Sequence, residues 1–279
     1  QIGLALHNYH DSNGVLPAYG FDFPTAPPGN PLGPQTQGHS AFALILPYIE
    51  QDNVIRLARQ DRSVIDPLNL PPPLGVTPAG QAHIKVYQCP AAPSRDSDYG
   101  PYFAQFISSM KGVPLLLGVT DYAIAQGIGG SLTNNCSPST PPGNTGLLGN
   151  KSQPRKITDM IDGSSNTILV VEDGGRQNVY VGRQMVASGI QALLMGNLNA
   201  AWADYNTKVR VDGASASGVP GGGCCVVNCT NIDEIYSFHS SGASALRGDG
   251  SVFFMKESIQ PGVLAALISA QGGEVIPDY

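Results

Sequence analysis

The segment FHSSGASALRGDGSVFF (238–254) contains the residues of this chain best suited to chemistry. His239 precedes Asp249 and Gly250, with nine residues between the histidine and the aspartate. Asp-Gly is a turn pair, because glycine adopts a positive φ at little cost and aspartate hydrogen-bonds to its own local backbone. We therefore expect a hairpin turn at Asp249-Gly250 with the His239 ring close to it. Two interpretations follow: a turn carboxylate beside a half-buried histidine, or a metal or ligand site that uses both side chains.

Further carboxylates end the apolar segment TILVVE (167–172), which is predicted to be a buried strand. Glu172 closes this segment and Asp173 follows it. Carboxylate oxygens are the ligands that calcium prefers, so Glu172 is a candidate to join Asp249 and His239 in a metal site. The sequence has no complete D-x-D-x-D-G loop, and solvated strand ends and turns are the simpler explanation. Calcium bound by Asp249, His239 and Glu172 is thus a hypothesis, and no other cofactor is expected.

The chain has five cysteines, and the absence of regular CxxC pairs argues against a zinc ribbon. They are Cys89, Cys136, Cys224, Cys225 and Cys229. The adjacent Cys224 and Cys225 are not expected to bond to each other. A disulfide from either of them to Cys229, Cys136 or Cys89 is left open, and buried free thiols are the alternative. An odd number leaves at least one thiol free or paired between chains.

No catalytic centre is predicted. A nucleophilic Cys/His dyad would need Cys89 beside His83 or His239, and nothing in the spacing of these residues supports it. An enzyme would also need acid-base or nucleophilic partners that converge in one pocket, and no recognised arrangement of that kind is visible. We expect the protein not to be an enzyme.

Composition limits the class of protein. Of the 279 residues 42% are hydrophobic and only 13% are charged, which is typical of an ordered chain and not of a disordered one. The formal net charge is -6, and Lys and Arg are not clustered, so nucleic acid is not an expected partner. No apolar stretch reaches the roughly 18 residues that cross a membrane. The low charge and the polar small residues favour a secreted or periplasmic protein, in which disulfides persist.

The pattern of elements favours an α+β fold with a mainly antiparallel sheet. Apolar residues at helical spacing predict a helix over 1–12 that ends at Asn13-Gly14, and a second helix over about 40–59 that Pro47 should kink or divide. A third helix is expected over 155–161 and a fourth over 261–270. Strands are expected at 84–90, 119–125, 167–172, 235–240, 251–257 and 274–277. We expect one domain over 1–279, with loop insertions rich in Gly, Pro or Cys at 127–150 and 213–231.

Several segments together resemble a known family. His-x9-Asp-Gly followed by Ser-Val and an aromatic pair is similar to the processing-associated motif of bacterial prepilin-like proteins, which carry a globular domain of unknown function. The family motif rests on His239, Asp249 and Gly250. Other segments that resemble the family, in chain order, are QIGLALHNYHDSNGVLPA (1–18), ALILPYIEQDNV (43–54), VYQCP (86–90), ITDMIDGSSNTILVVED (157–173) and PGVLAALISAQGGEV (261–275). The loop at 218–231 has no counterpart in the family pattern.

This resemblance implies a pilin- or pseudopilin-like structural subunit of a type II secretion or type IV pilus-like assembly. Residues 1–12 would be the remnant of a longer N-terminal helix, packed on the sheet. The apolar first half of that helix would anchor the precursor in the inner membrane and then pack against other pilin-like subunits or copies of itself. The globular domain would be periplasmic or exposed at the cell surface, and calcium in later loops is frequent in such subunits.

The alternative function is an anchored extracytoplasmic binding module for a solute, a glycan or a protein. It predicts a deep pocket lined by aromatic side chains such as Trp202, Tyr205 and Tyr236.

Overall fold

The computed structural model describes residues 1–136, 145–151, 153–196 and 198–273. All helices except the first and the last are short. They are α1 (Ile2–Asn13), α2 (Ala41–Leu44), α3 (Asp52–Ile55), α4 (Gly100–Phe103), α5 (Gly189–Leu194) and α6 (Pro261–Ile268). The strands are β1 (Gly20–Asp22), β2 (Gln37–Ser40), β3 (Ser97–Asp98), β4 (Leu116–Leu117), β5 (Tyr122–Ile128), β6 (Ile168–Glu172), β7 (Val179–Val181), β8 (Gln184–Ala187), β9 (Lys208–Val211), β10 (Gly242–Arg247) and β11 (Val252–Lys256). Single 3₁₀ turns lie at Leu46–Ile49, Pro67–Asn69, Ala79–Gln81, Lys85–Tyr87, Ser108–Met110, Ile157–Asp159 and Ser164–Asn166, and a π turn at Leu132–Cys136.

A five-stranded sheet with the order β11-β10-β6-β5-β9 organises the fold. The first four strands are antiparallel neighbours, and β9 joins β5 in parallel at the edge. The register places Ala245 of β10 opposite Phe253 of β11 and Val171 of β6. Two-stranded antiparallel ribbons form from β1 and β2, β3 and β4, and β7 and β8. The predicted α+β class and the mainly antiparallel sheet are confirmed.

Apolar side chains cover both faces of this sheet. All five residues of β6 are buried, as a strand enclosed on both faces requires. On one face Leu246 and Val170 pack with Leu6 of α1 in the larger hydrophobic cluster. On the other face Val171 and Ala245 pack with α6. Pro261 occupies the first turn of α6, where its missing N–H has no helical acceptor, which confirms that predicted helix start.

Helix α1 is fixed closely against the tip of the β10–β11 hairpin. A Cβ atom on Gly3 would lie 2.7 Å from Cδ1 of Leu246, so a larger residue would require the Leu246 side chain to move. The His7 Nε2 atom lies 3.0 Å from the carbonyl oxygen of Gly248. Gly14 ends the helix with φ 73°, the left-handed conformation expected at that position. No helix within the described ranges has the length and apolar character needed to cross a membrane.

Several predicted elements differ from the structure. Pro47 divides the predicted helix over 40–59 into α2, a 3₁₀ turn and α3, as its missing N–H dictates. The predicted strand at 84–90 is wrong, because the chain there turns through a 3₁₀ helix at Lys85–Tyr87. The helix expected over 155–161 is a single 3₁₀ turn at Ile157–Asp159.

The hairpin is confirmed, but its first strand is β10 and not the segment 235–240. That segment makes only isolated bridges, through Ile235 and Tyr236. The strand predicted at 274–277 lies outside the described residues.

The packing of α1 predicts a large difference between two of its leucines. Leu6 is 1% exposed and Leu4 is 65% exposed. We expect Leu6→Ala to lower the free energy of unfolding by about 2–5 kcal/mol, because it leaves a cavity between helix and sheet. Leu4→Ala serves as the matched control and should change it by less than about 0.5 kcal/mol. Urea denaturation of both variants measures the difference, and equal effects would contradict the observed docking of α1.

A buried histidine predicts loss of stability in acid. His39 on β2 is 4% exposed, its ring nitrogens have no hydrogen-bond partner in the described structure, and its ring meets Phe21 and Phe23 edge-on. Burial lowers the pKa of His39 from 6.5 to about 4. Between those values the unfolded chain binds a proton that the folded chain does not, so stability falls as the pH drops from 6.5 to 4, by about 3 kcal/mol in total.

His39→Phe should remove that part of the acid sensitivity, since phenylalanine suits the same aromatic cluster and cannot be protonated. Urea unfolding between pH 7 and pH 4 measures it, with exposed His83→Phe as the control that keeps the wild-type dependence. An unchanged slope in His39→Phe would refute the assignment.

Candidate functional site

The Asp249-Gly250 pair forms the tip of the β10–β11 hairpin. Asp249 Oδ1 accepts a hydrogen bond from the Ser251 N–H at 2.9 Å, and Gly250 has φ 85°. Hydrogen bonds from Ser251 hold the pKa of Asp249 below its usual value. The Asp249 N–H donates to the Ser164 carbonyl oxygen at 3.0 Å. Asp249 therefore acts in this structure as a turn carboxylate, as the first of the two sequence interpretations describes.

His239 lies at the other end of β10, and not beside the turn. Strand β10 has six residues, which corresponds to about 20 Å of extended chain between the two sites. The His239 Nε2 atom lies 3.4 Å from Glu172 Oε1 and 3.4 Å from Cys89 Sγ. The structure thus brings two of the three predicted metal ligands together, leaves Asp249 apart from them, and adds a thiol.

We call Cys89, Glu172 and His239 the Cys-Glu-His cluster. The donor atoms of these three residues all lie within 4.8 Å of one another. They come from three distant parts of the sequence: a turn after Tyr87, the end of β6 and the segment before β10. This is the one convergence of metal-ligating side chains found among the described residues.

Glu172 is held in place by the sheet. It is the last residue of β6, is 2% exposed, and lies opposite Tyr122 of β5. Its Oε2 atom accepts a hydrogen bond from the Ser244 N–H at 2.6 Å. The backbone donor therefore satisfies one carboxylate oxygen and orients the other, Oε1, towards His239.

Cys89 is held by a buried ion pair. Its N–H donates to Asp121 Oδ2 at 2.9 Å, and Asp121 Oδ1 pairs with the Arg95 guanidinium at 2.7 Å. Arg95 also donates to the carbonyl oxygens of Thr120 and Arg176. Burial, reinforced by the neighbouring Glu172 carboxylate, raises the pKa of the Cys89 thiol to about 11. The thiol is accordingly protonated at neutral pH.

Asp173, the other carboxylate at the end of β6, belongs to a separate ion pair. Its Oδ2 atom lies 2.5 Å from the Arg176 guanidinium, and both side chains are buried. Burial raises the pKa of Asp173 to about 7. This side chain pairs with a buried arginine and does not join the Cys-Glu-His cluster.

The remaining cysteines form disulfides in the loop insertions. Cys136 pairs with Cys224 and Cys225 pairs with Cys229, with Cα–Cα distances of 5.4 and 6.1 Å. The adjacent Cys224 and Cys225 thus bond to different partners, as expected, and Cys89 is the free thiol. The first disulfide joins the 127–150 and 213–231 insertions to each other.

The aromatic side chains expected to line a ligand pocket are core residues instead. Trp202, Tyr205 and Tyr236 are 0%, 3% and 0% exposed. The Trp202 indole N–H donates to the Ala82 carbonyl oxygen at 2.9 Å, and the Tyr236 hydroxyl donates to that of Gly182 at 2.8 Å. The specific pocket that the binding-module alternative predicted is therefore not formed by these residues.

The comparison with protein families supplies the identification. A family model described as "Protein of unknown function (DUF1559)" matches residues 1–262. The chain belongs to this family. The match extends from α1 into the first turn of α6, so it includes the sheet and the Cys-Glu-His cluster. Searches of the curated proteins and of the solved structures found no match.

In the sequence, Cys89 is a candidate nucleophile beside His83 or His239 but not a candidate metal ligand. One signal pointed towards a free thiol: with five cysteines, at least one lacks an intramolecular partner. That signal did not locate the neighbours of the free thiol, because the approach of Cys89 to His239 spans 150 residues.

The buried thiol predicts a distinctive alkylation profile. In a buffer with chelator we expect iodoacetamide to modify native Cys89 slowly, at a rate that keeps rising up to pH of about 11, where an ordinary cysteine levels off near 9.0. In urea without reductant the same single residue should react quickly, because the other four are in disulfides. Peptide mapping by mass spectrometry identifies the site. Fast native labelling, or a second labelled cysteine in urea, would contradict the structure.

Proposed function

We propose that this chain is the globular part of a pilin- or pseudopilin-like structural subunit in a type II secretion or type IV pilus-like assembly, and that it is not an enzyme. The observation that carries the proposal is the docking of α1 on one face of a mainly antiparallel sheet, in a chain whose segments resemble those of prepilin-like proteins in the same order. Membership of the family of unknown function is compatible with this role.

The contacts of α1 support a mechanical role. A helix of 12 residues is marginal by itself in water, so its stability comes from packing on the domain. Gly3 and His7 attach the helix to the hairpin tip, and Leu6 attaches it to the core. In the proposal α1 continues a longer helix, and a load on that helix passes directly into the central sheet.

The proposed partners follow from the chemistry of such a longer helix. Its apolar first half is stable only in lipid or among similar helices, so the precursor is anchored in the inner membrane and later packs against other pilin-like subunits or copies of itself. The globular domain is periplasmic or at the cell surface. Two disulfides support an oxidising compartment, and the net charge of -6 disfavours nucleic acid.

A structural role also agrees with the chemistry of the thiol. A cysteine nucleophile needs a lowered pKa, so that the thiolate is present at neutral pH. Burial moves the pKa of Cys89 in the opposite direction, to about 11. The contact between Cys89 and His239 therefore lacks the electrostatic property of a catalytic Cys/His dyad.

The gene sequence upstream of the Gln1 codon tests the proposal directly. We expect it to encode a short cleavable leader followed by about 20 apolar residues that continue into α1. Expressed from the complete reading frame, the protein should fractionate with the inner membrane. A matched version with that region replaced by a cleavable secretory signal should fractionate with the periplasmic contents. An ordinary secretory signal in the native gene, with no retained apolar helix, would refute the proposal.

A further inference from the structure

The Cys-Glu-His cluster has the donor spacing of a coordination site. Its Nε2–Sγ and Nε2–Oε1 distances are both 3.4 Å. In a tetrahedral zinc site, metal–ligand bonds of about 2.0–2.3 Å place neighbouring donor atoms about 3.3–3.8 Å apart. His239 is therefore already at the correct distance from both Cys89 and Glu172 to share one ion with them.

The donor atoms of the three side chains converge on one point. A single ring nitrogen, His239 Nε2, faces both the Cys89 sulfur and the Glu172 carboxylate oxygen. Without an ion, the three groups can bond to one another only through protons on the ring nitrogen and on the thiol. A divalent cation that displaces those protons would bind all three atoms at once. The geometry points to a binding site for a zinc-class divalent transition ion formed by Cys89, Glu172 and His239.

The donor types select the class of metal. Calcium and magnesium bind oxygen ligands, whereas thiolate and imidazole with one carboxylate suit zinc and related ions. Glu172 offers a single free oxygen, because the Ser244 N–H occupies the other. Three protein ligands leave a fourth position of a tetrahedral ion open. The His239 side chain is 38% exposed, so solvent reaches the cluster from that side.

Outer contacts hold the ligands in position, as they do in established metal sites. The Asp121–Arg95 pair fixes the backbone of Cys89. The backbone of His239 is fixed at both ends, because its N–H donates to the Ser237 hydroxyl at 3.1 Å and its carbonyl accepts from Arg183 at 2.9 Å. Cys89 also lines a surface groove of about 350 Å³.

Cobalt binding provides the test. The full chain, treated with chelator and with its disulfides intact, is titrated with Co²⁺, which replaces zinc and reports sulfur ligation through a thiolate-to-cobalt charge-transfer band. We expect one ion per chain and a charge-transfer band that Zn²⁺ abolishes by displacement. Since Cys89 is the free thiol, the band reports on this residue. Absence of the band in the wild-type protein would overturn the inference.

Variants locate the site. Cys89→Ser should remove the charge-transfer band, and His239→Gln and Glu172→Gln should each weaken Zn²⁺ binding by about 100-fold or more in a chelator competition assay. His239 is partly exposed, so His239→Gln remains informative even if a buried substitution impairs folding; circular dichroism checks the fold of each variant. Asp249→Asn, at the far end of β10, is the control with wild-type affinity. Unchanged affinity in His239→Gln, or lost affinity in Asp249→Asn, would overturn the assignment.

Discussion

The complete burial of β6 is the constraint on which the rest of the structure depends. This strand lies between β10 and β5, and α1 and α6 cover the two faces of the sheet around it. All five successive residues of β6 are buried. A strand of this kind is stable only in the middle of the sheet, where both of its faces are covered. The antiparallel neighbours on both sides then fix the register of the hairpin. That register in turn fixes the position at which α1 packs.

The cost of that burial appears at the end of the strand. Glu172 and Asp173 carry carboxylates into the protein interior, where a charge without a partner is strongly unfavourable. The structure compensates with the Ser244 N–H for one and the Arg176 guanidinium for the other. The remaining oxygen of Glu172 faces His239, so the polar contacts of the cluster arise where an apolar strand has to end.

The proposed subunit role and the inferred metal site concern opposite ends of the same hairpin. Helix α1 is attached at the tip, through His7 and Gly248. An ion at the Cys-Glu-His cluster would connect three segments that are distant in sequence near the base of β10. Such a connection stabilises a folded domain without a larger hydrophobic core, because an ion that binds only the folded state shifts the folding equilibrium towards the folded state. In a domain that transmits load from α1 into the sheet, such an ion would stabilise the end of β10 opposite the hairpin tip.

The sequence by itself determined those features that local chemistry controls. Apolar runs and turn residues located α1, β6, the Asp249-Gly250 turn and α6, and Pro47 divided its helix because it lacks an N–H. The alternating residues at 84–90 predicted a strand wrongly, since tertiary contacts hold that segment in a 3₁₀ turn.

Only the tertiary structure decided the partners of the chemical groups. Cys89, Glu172 and His239 meet because strands far apart in sequence pair in one sheet, and Asp249 separates from His239 because β10 is extended between them. The disulfide partners were open for the same reason. Pairwise contacts over such separations depend on the packing of the whole chain, which residue spacing does not encode.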